Sequence, residues 1–139
     1  MPSDAGTHRL GSLTCRERLQ AAKVGRLAWC EDDQPVVVPV NYAMHGDLVF
    51  IRTGSGSKAA AAARGGRVSL QIDDLHGEHA PWSVLAKGTA TLVAELDEEE
   101  AYGLDLRPEA GTMNRDLFIR IELDEYTGRE LDGFGRVGR

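Results

Sequence analysis

Residues 35–53 read Pro-Val-Val-Val-Pro-Val-Asn-Tyr-Ala-Met-His-Gly-Asp-Leu-Val-Phe-Ile-Arg-Thr, and this stretch decides the fold. Both of its halves are rich in β-branched and aromatic residues, which favour strands. The turn between them, His45-Gly46-Asp47, is too short for anything but an antiparallel connection. The stretch therefore predicts a β-meander and not a βαβ unit.

The segments on either side continue the same pattern. Gly25 to Cys30 is strand-like and is followed by a polar turn at Glu31 to Gln34, which predicts a hairpin with the strand after it. The long strand predicted at residues 82–93 contains Gly88, a candidate bend or bulge. Six strands are predicted, at residues 25–30, 35–42, 48–53, 68–73, 82–93 and 117–123. Six strands with few helices and no repeats indicate a small antiparallel barrel.

The chain of 139 residues supports a single domain. We expect a flexible N-terminal segment at 1–11, the folded domain at 12–131 and a glycine-rich tail at 132–139. The domain is predicted to open with a helix that Thr14 caps, with Glu17 completing a capping box, and that runs to about Lys23.

Composition excludes several classes of function. The chain has 22 acidic and 16 basic residues, and a net charge of −6 argues against nucleic acid as a partner. No apolar run is long enough to span a bilayer, and no secretory signal is recognisable, so we expect a cytoplasmic protein with no membrane partner. Cys15 and Cys30 are predicted to be reduced, buried thiols. No metal site is expected, because the run from His76 to His79 fits neither zinc-protease helix pattern.

A cluster of phosphate-binding side chains follows the third predicted strand. Its members are Arg52, Thr53, Ser55, Ser57 and Lys58. They offer charge-assisted hydrogen-bond donors, and the amides of a helix beginning at Ala59 would add a partial positive charge. The cluster predicts a seat for a phosphate at the rim of the sheet; a flexible Gly/Ser turn is the alternative that its composition allows.

Two nucleotide-binding motifs are excluded by spacing. The letters from Gly54 to Ala59 match the dinucleotide fingerprint, but that motif needs a parallel crossover. The strand at Val68 starts only about ten residues later, near the lower limit for such a connection. The phosphate-binding loop of nucleoside triphosphatases also fails, because the required upstream glycine is missing and Ala59 replaces the magnesium-binding hydroxyl.

Four segments, in this order, resemble a known family. They are Val24–Ala28 after the first helix, Pro35–Tyr42, Phe50–Thr53 with Gly56–Lys58, and Trp82–Val84 with Lys87-Gly88. The chain resembles the flavin-binding split barrels related to pyridoxamine 5'-phosphate oxidase, in particular the small bacterial branch that includes nitroimidazole-resistance proteins. The resemblance implies a mainly β fold, a six-stranded antiparallel split β-barrel with short flanking helices.

The resemblance also implies a ligand and a partner. Similar proteins are homodimers that bind FMN in two equivalent clefts between the subunits. In that frame Arg52, Thr53, Ser57 and Lys58 would hold the phosphate, and Pro39, Val40, Asn41 and Tyr42 would face the isoalloxazine ring. Gln71 and Asp73 would lie beside the ring or the ribityl chain, and Trp82 and Ser83 would come from the opposite subunit.

The function implied by the resemblance is that of an FMN-dependent oxidoreductase. The flavin would carry the electrons, a nicotinamide donor would be a candidate source of them, and a small organic molecule would accept them. No side chain is expected to act as a catalytic acid or base. Two alternatives stay open: a reductase that uses a deazaflavin coenzyme in the same cleft, and a flavin-binding protein without catalytic activity.

Overall fold

A computed structural model describes residues 7–53, 66–78, 80–93 and 117–131, and these form eight β-strands and one α-helix. The strands are β1 (Thr7–Leu10), β2 (Val24–Glu31), β3 (Gln34–Asn41), β4 (Ala43–His45), β5 (Leu48–Thr53), β6 (Arg67–Asp74), β7 (Trp82–Val93) and β8 (Leu117–Leu131), and the helix is α1 (Ser12–Ala21). The predicted mainly β, antiparallel fold is confirmed. All six predicted strands occur; β1, within the segment predicted to be flexible, and β4 are additional.

The strands form one antiparallel sheet in the order β3-β2-β6-β7-β8-β5-β4, with β1 added beside β8. The sheet curls until β3 contacts β5, but β3 and the opposite edge strand, β4, are not paired. The chain crosses this opening directly, since only Tyr42 separates the end of β3 from the start of β4. The result is an antiparallel barrel that is left open at one corner.

Side chains alternate between the two faces of the sheet, and one face forms the core. Leu27, Leu70, Val84 and Ile121 belong to this inward face and are fully buried. The helix α1 closes the core with Cys15 and Leu19, which are four residues apart and therefore on the same side of the helix. Burial of such residues is the main stabilising contribution in a domain of this size.

The start of α1 differs from the sequence prediction. Gly11 is the N-cap residue, no side chain caps the helix, and Thr14 already lies within the first turn. The predicted capping box was therefore wrong. The backbone amide of Cys15 donates to the carbonyl of Gly11 at 3.0 Å, so the helix begins three residues earlier than predicted. Among the described residues, no helix has the length and apolar character needed to cross a bilayer.

Two local features of the strands were predicted correctly. The β2–β3 hairpin turns at Asp32 and Asp33, whose φ angles of 49° and 62° are the left-handed values of a tight hairpin turn. The pairing of β7 with β8 shifts register between Lys87 and Gly88, so the predicted irregularity occurs at Gly88, with the extra residue, Asp124, on β8. A Cβ atom on Gly88 would overlap the backbone carbonyl of Glu122, so only glycine fits there.

The two cysteines differ in burial. Cys15 is buried against β8, as predicted, and desolvation raises the pKa of its thiol. Cys30 is exposed, so the prediction that it is buried was wrong. The reason is the alternation along β2, which directs Leu27 and Trp29 inward and therefore Cys30 outward.

Candidate functional site

The outward face of the sheet brings several predicted site residues together. Arg26 on β2 stands opposite Pro39 of β3 on one side and Gln71 of β6 on the other. Residues opposite each other in neighbouring strands point to the same face, so these three form one row. The next row beyond it contains Asn41 of β3 and Asp73 of β6.

Four polar side chains on this face are joined by hydrogen bonds, and we call them the Arg26 network: Arg26, Gln71, Asp73 and Ser83. Nη1 of Arg26 donates to Gln71 Oε1 and to Asp73 Oδ2, at 2.9 Å each. Nε2 of Gln71 donates to Asp73 Oδ2 at 2.9 Å and to Ser83 Oγ at 3.1 Å. The Gln71 amide is held in one orientation, because a flip would place its carbonyl oxygen against the Asp73 carboxylate.

The network is half open to solvent. Arg26 is exposed over 53% of its side chain and Asp73 over 19%, so the carboxylate lies deeper than the guanidinium above it. One positive and one negative charge balance within the network, and its polar groups reach the surface without burying an unpaired charge.

Apolar side chains border the network on the same face. Val24 lies opposite Asn41, and Val37 lies opposite Ala28. Val24 and Val37 are each 60% exposed, which is unusual for large hydrophobic residues within strands. Together with Pro39, which lies two residues from Val37 along β3, they form a shallow apolar surface beside a hydrogen-bonding cluster. Such a combination of apolar wall and fixed polar groups is typical of sites for flat organic ligands.

Arg52 and Thr53 lie at the end of β5, near the corner where the barrel is open. The β4–β5 register pairs Ala43 with Phe50, and continuing it by two residues sets Asn41 against Arg52. The contact between β3 and β5 agrees with this placement. The Arg52 guanidinium lies 5.7 Å from the centre of the Phe118 ring, a cation–π distance. Ser55, Ser57 and Lys58, the rest of the predicted phosphate seat, lie outside the described residues.

Three other predicted site residues point toward the core in the single chain. Val40 is half-buried and packs against the core cluster. The hydroxyl of Tyr42 is buried and donates to the backbone carbonyl of Leu19 at 2.6 Å, and burial raises the pKa of this tyrosine. Trp82 packs against the core as well, with the Arg18 guanidinium 4.6 Å from the centre of its ring. The structure therefore does not bring these three side chains to the face that carries the Arg26 network.

Arg26 was not among the residues selected from the sequence. One signal was available: it is the single charged residue within the strand-like segment from Gly25 to Cys30, and it alternates with the inward-facing Gly25 and Leu27. Its neighbours across the sheet depend on register, which the sequence does not specify. In the part of the chain that the structure describes, no three His, Cys, Asp or Glu side chains are grouped as metal ligands.

The chain is similar to known proteins in both sequence and fold. The sequence profile of the pyridoxamine 5'-phosphate oxidase family matches residues 12–130, which is most of the chain. The chain belongs to this family. The resemblance found in the sequence is thereby confirmed, and the family match covers the whole of the predicted domain except its last residue, 131.

Solved structures of family relatives superpose closely on the chain. A FAD-binding protein from Mesorhizobium loti is 29% identical, with a TM-score of 0.75, and the match covers 89% of this chain and 96% of that one. A proposed pyridoxamine 5'-phosphate oxidase from Corynebacterium glutamicum is 31% identical, with a TM-score of 0.73 and coverage of 91% and 98%. A FAD-binding protein from Mycobacterium smegmatis is 26% identical, with a TM-score of 0.65 and coverage of 90% and 98%.

Proposed function

We propose that this protein binds a flavin on the outward face around the Arg26 network and uses it as an oxidoreductase toward a small organic acceptor. The observation that carries the proposal is the pairing of that hydrogen-bonded network with the exposed apolar surface of Val24, Val37 and Pro39. Two similar structures, from Mesorhizobium loti and Mycobacterium smegmatis, are of FAD-binding proteins, which supports a flavin as the ligand.

The residues present fit the parts of a flavin. Its flat ring system needs an apolar surface, its pyrimidine edge needs hydrogen-bonding partners, and its phosphate needs cations. Pro39 suits a strand beside a ligand, because it has no amide hydrogen to leave unpaired at the edge of a sheet. Asn41, Gln71, Asp73 and Ser83 supply polar groups around it. Ser83 accepts from Gln71 of its own chain, so the proposal takes it from the same subunit and not, as the resemblance implied, from the opposite one.

The phosphate would be held at the open corner of the barrel. Arg52 and Thr53 are positioned there by β5, and Ser55, Ser57 and Lys58 follow them in the sequence. A guanidinium and an ammonium group would neutralise the phosphate, while the hydroxyl groups would donate hydrogen bonds to it. FMN is the proposed form, because its terminal phosphate matches this cluster. FAD is the second candidate, because the two relatives are FAD-binding proteins.

When bound, the flavin supplies hydride and single-electron transfer. The side chains of this chain then have three tasks: they bind the phosphate, they orient the ring, and they exclude water from one side of it. The proposal assigns no acid or base role to any side chain.

We further propose that a second copy of the chain covers the outward face and completes the cleft. Val24 and Val37 leave apolar area on this face that a single chain does not bury. An edge strand such as β3, with Pro35 and Pro39 interrupting its free side, is protected from pairing with another sheet, so the partner would pack against its side chains.

The test is flavin retention in a double variant. R52Q/K58Q removes the two proposed phosphate cations, and we expect it to lose at least about 90% of its flavin while keeping the far-ultraviolet circular dichroism of the fold, since each charge-assisted bond contributes roughly 1.5–3 kcal/mol. The control is R67Q/K87Q, which removes two cations of the same face that instead pair with Asp124 and Glu125. This control should stay loaded.

The bound molecule itself separates the remaining possibilities. Wild-type protein should carry an oxidised-flavin spectrum, and heat release followed by chromatography identifies FMN or FAD; a deazaflavin spectrum would identify the other coenzyme. Turnover with a reduced nicotinamide then distinguishes an enzyme from a flavin-binding protein. Full occupancy of R52Q/K58Q would overturn the phosphate assignment.

A further inference from the structure

Arg26 is held firmly by the network but uses only part of its guanidinium. Both of its hydrogen bonds, to Gln71 and to Asp73, leave from Nη1. Neither Nε nor Nη2 donates to any of the described residues, and 53% of the side chain is exposed. The side chain is thus fixed in position from below while further N–H groups remain available at the surface.

The position of Arg26 in the sheet makes it part of the proposed ring site. It stands between Pro39 and Gln71 in one row, and both of those residues are proposed to lie beside the ring. A ring that lies beside both Pro39 and Gln71 also lies beside β2 at Arg26, whose half-exposed guanidinium can therefore reach an edge of the ring.

We propose that Arg26 contacts the pyrimidine edge of the flavin, donating to N1 and the C2 carbonyl oxygen, and that it sets the electrostatic potential there. The inference rests on the proposed flavin function and deepens it. The pyrimidine edge presents acceptors at these two atoms, and a guanidinium has donors in the fork geometry that matches two neighbouring acceptors.

The Asp73 carboxylate determines how strongly Arg26 raises the electrostatic potential at the pyrimidine edge of the flavin. It neutralises the Arg26 charge within the network and lies deeper than the guanidinium, so a ring on the surface is closer to the positive group. Coulomb energy falls with distance, and the nearer charge therefore has the larger effect on the ring. Negative charge accumulates at N1 when a flavin is reduced, so Arg26 favours the reduced form and Asp73 opposes it.

The test compares the flavin-loaded wild type with R26Q, R26K and D73N. The readouts are the reduction potential, by equilibration with a reference dye, and the pKa of the flavin N3–H, by absorbance against pH. R26Q removes the positive charge, so the potential should become more negative and the N3–H pKa should rise. D73N removes the opposing charge and should shift both in the other direction. R26K keeps the charge and should lie between R26Q and the wild type.

The matched control is R67Q, which breaks the guanidinium–carboxylate pair of Arg67 with Asp124 of β8. Arg67 lies four residues from Gln71 along β6, roughly 13 Å by strand geometry. The reduction potential of the flavin in R67Q should equal that in the wild type. A purely structural role for Arg26 would move neither readout, and shifts of R26Q and D73N in the same direction would equally overturn the inference. If R26Q releases its flavin, R26K and D73N still decide the question.

The failure of this inference is distinguishable from the failure of the proposed function. A wild-type protein that takes up neither FMN nor FAD overturns both. A wild-type protein that binds flavin, with R26Q, R26K and D73N all matching its potential and N3–H pKa, overturns only the assignment of Arg26.

Discussion

At the scale of single residues, Tyr42 shows how one hydrogen bond connects two elements. Its ring belongs to the core cluster, and its hydroxyl donates to the Leu19 carbonyl near the end of α1. The backbone amide of Tyr42 also donates to the Lys23 carbonyl at 2.9 Å, between α1 and β2. Tyr42 therefore fixes the helix to the segment that crosses from β3 to β4, next to the candidate site.

We predict that Y42F lowers the free energy of unfolding by about 1–2 kcal/mol at neutral pH, because it leaves the Leu19 carbonyl without its buried donor. Burial raises the pKa of Tyr42 above its ordinary value, so the folded state holds the phenolic proton more tightly than the unfolded chain. The stability that this contributes is complete below about pH 10, where an unfolded tyrosine titrates, and is lost as the pH rises further.

The difference between wild type and Y42F should therefore shrink above about pH 10, since phenylalanine has no proton to lose. Urea unfolding of both proteins at a series of pH values measures this difference in the free energy of unfolding. A difference that is constant from neutral to strongly alkaline pH would contradict the assigned burial of the hydroxyl.

At the scale of elements, the bulge on β8, where Asp124 is the extra residue, lies opposite a glycine of β7. A Cβ atom at position 88 would meet the backbone of Glu122 on β8, and backbone atoms of a paired strand have little room to move. We predict that G88A destabilises the protein by about 1–3 kcal/mol or more through this overlap. Thermal and urea unfolding measure the loss.

The control for G88A is G66A. Gly66 has open space around the position of a Cβ, and its φ is not in the left-handed region, so alanine should change the stability by less than about 1 kcal/mol. Equal stability of G88A and G66A would show that β7 and β8 do not approach each other as described.

The elements were predictable to the extent that their signals are local. The alternation of residues 68–73, the tight turn after Glu31 and the position of Gly88 each depend on a few neighbouring residues. The start of α1 has no such signal, because Gly11 begins the helix through its backbone carbonyl, which accepts from the Cys15 amide, and no side chain caps it. The Arg26 network joins Arg26 to residues more than forty positions away and depends on register, so local signals could select its members but not reveal their pairing.

At the scale of the whole molecule, the fold separates a buried core from an outward face that carries the Arg26 network. The candidate ring surface and Arg52 both adjoin the corner where the barrel is open. An eight-stranded sheet closed without interruption would pair β3 along its free edge and leave no such corner. The open barrel therefore explains why candidate site residues of β2, β3, β5 and β6 lie near this corner.

At this scale we also expect the chain to self-associate as the proposed dimer. We predict that V37E weakens self-association, because a charged side chain would replace an exposed apolar one on the face that a second copy is proposed to cover. A two-fold interface contains the change twice, so a loss of roughly 1.5 kcal/mol per valine would raise the dimer dissociation constant roughly 100-fold. The control is L13E, which alters a similarly exposed residue on α1, with Leu13 68% exposed and Val37 60%. Sedimentation velocity over a range of concentrations, with and without flavin, measures the dimer dissociation constant of both variants.

If the flavin lies between subunits, V37E should also lose flavin on dilution in the same concentration range. A monomeric V37E that stays fully loaded with flavin would contradict the shared site.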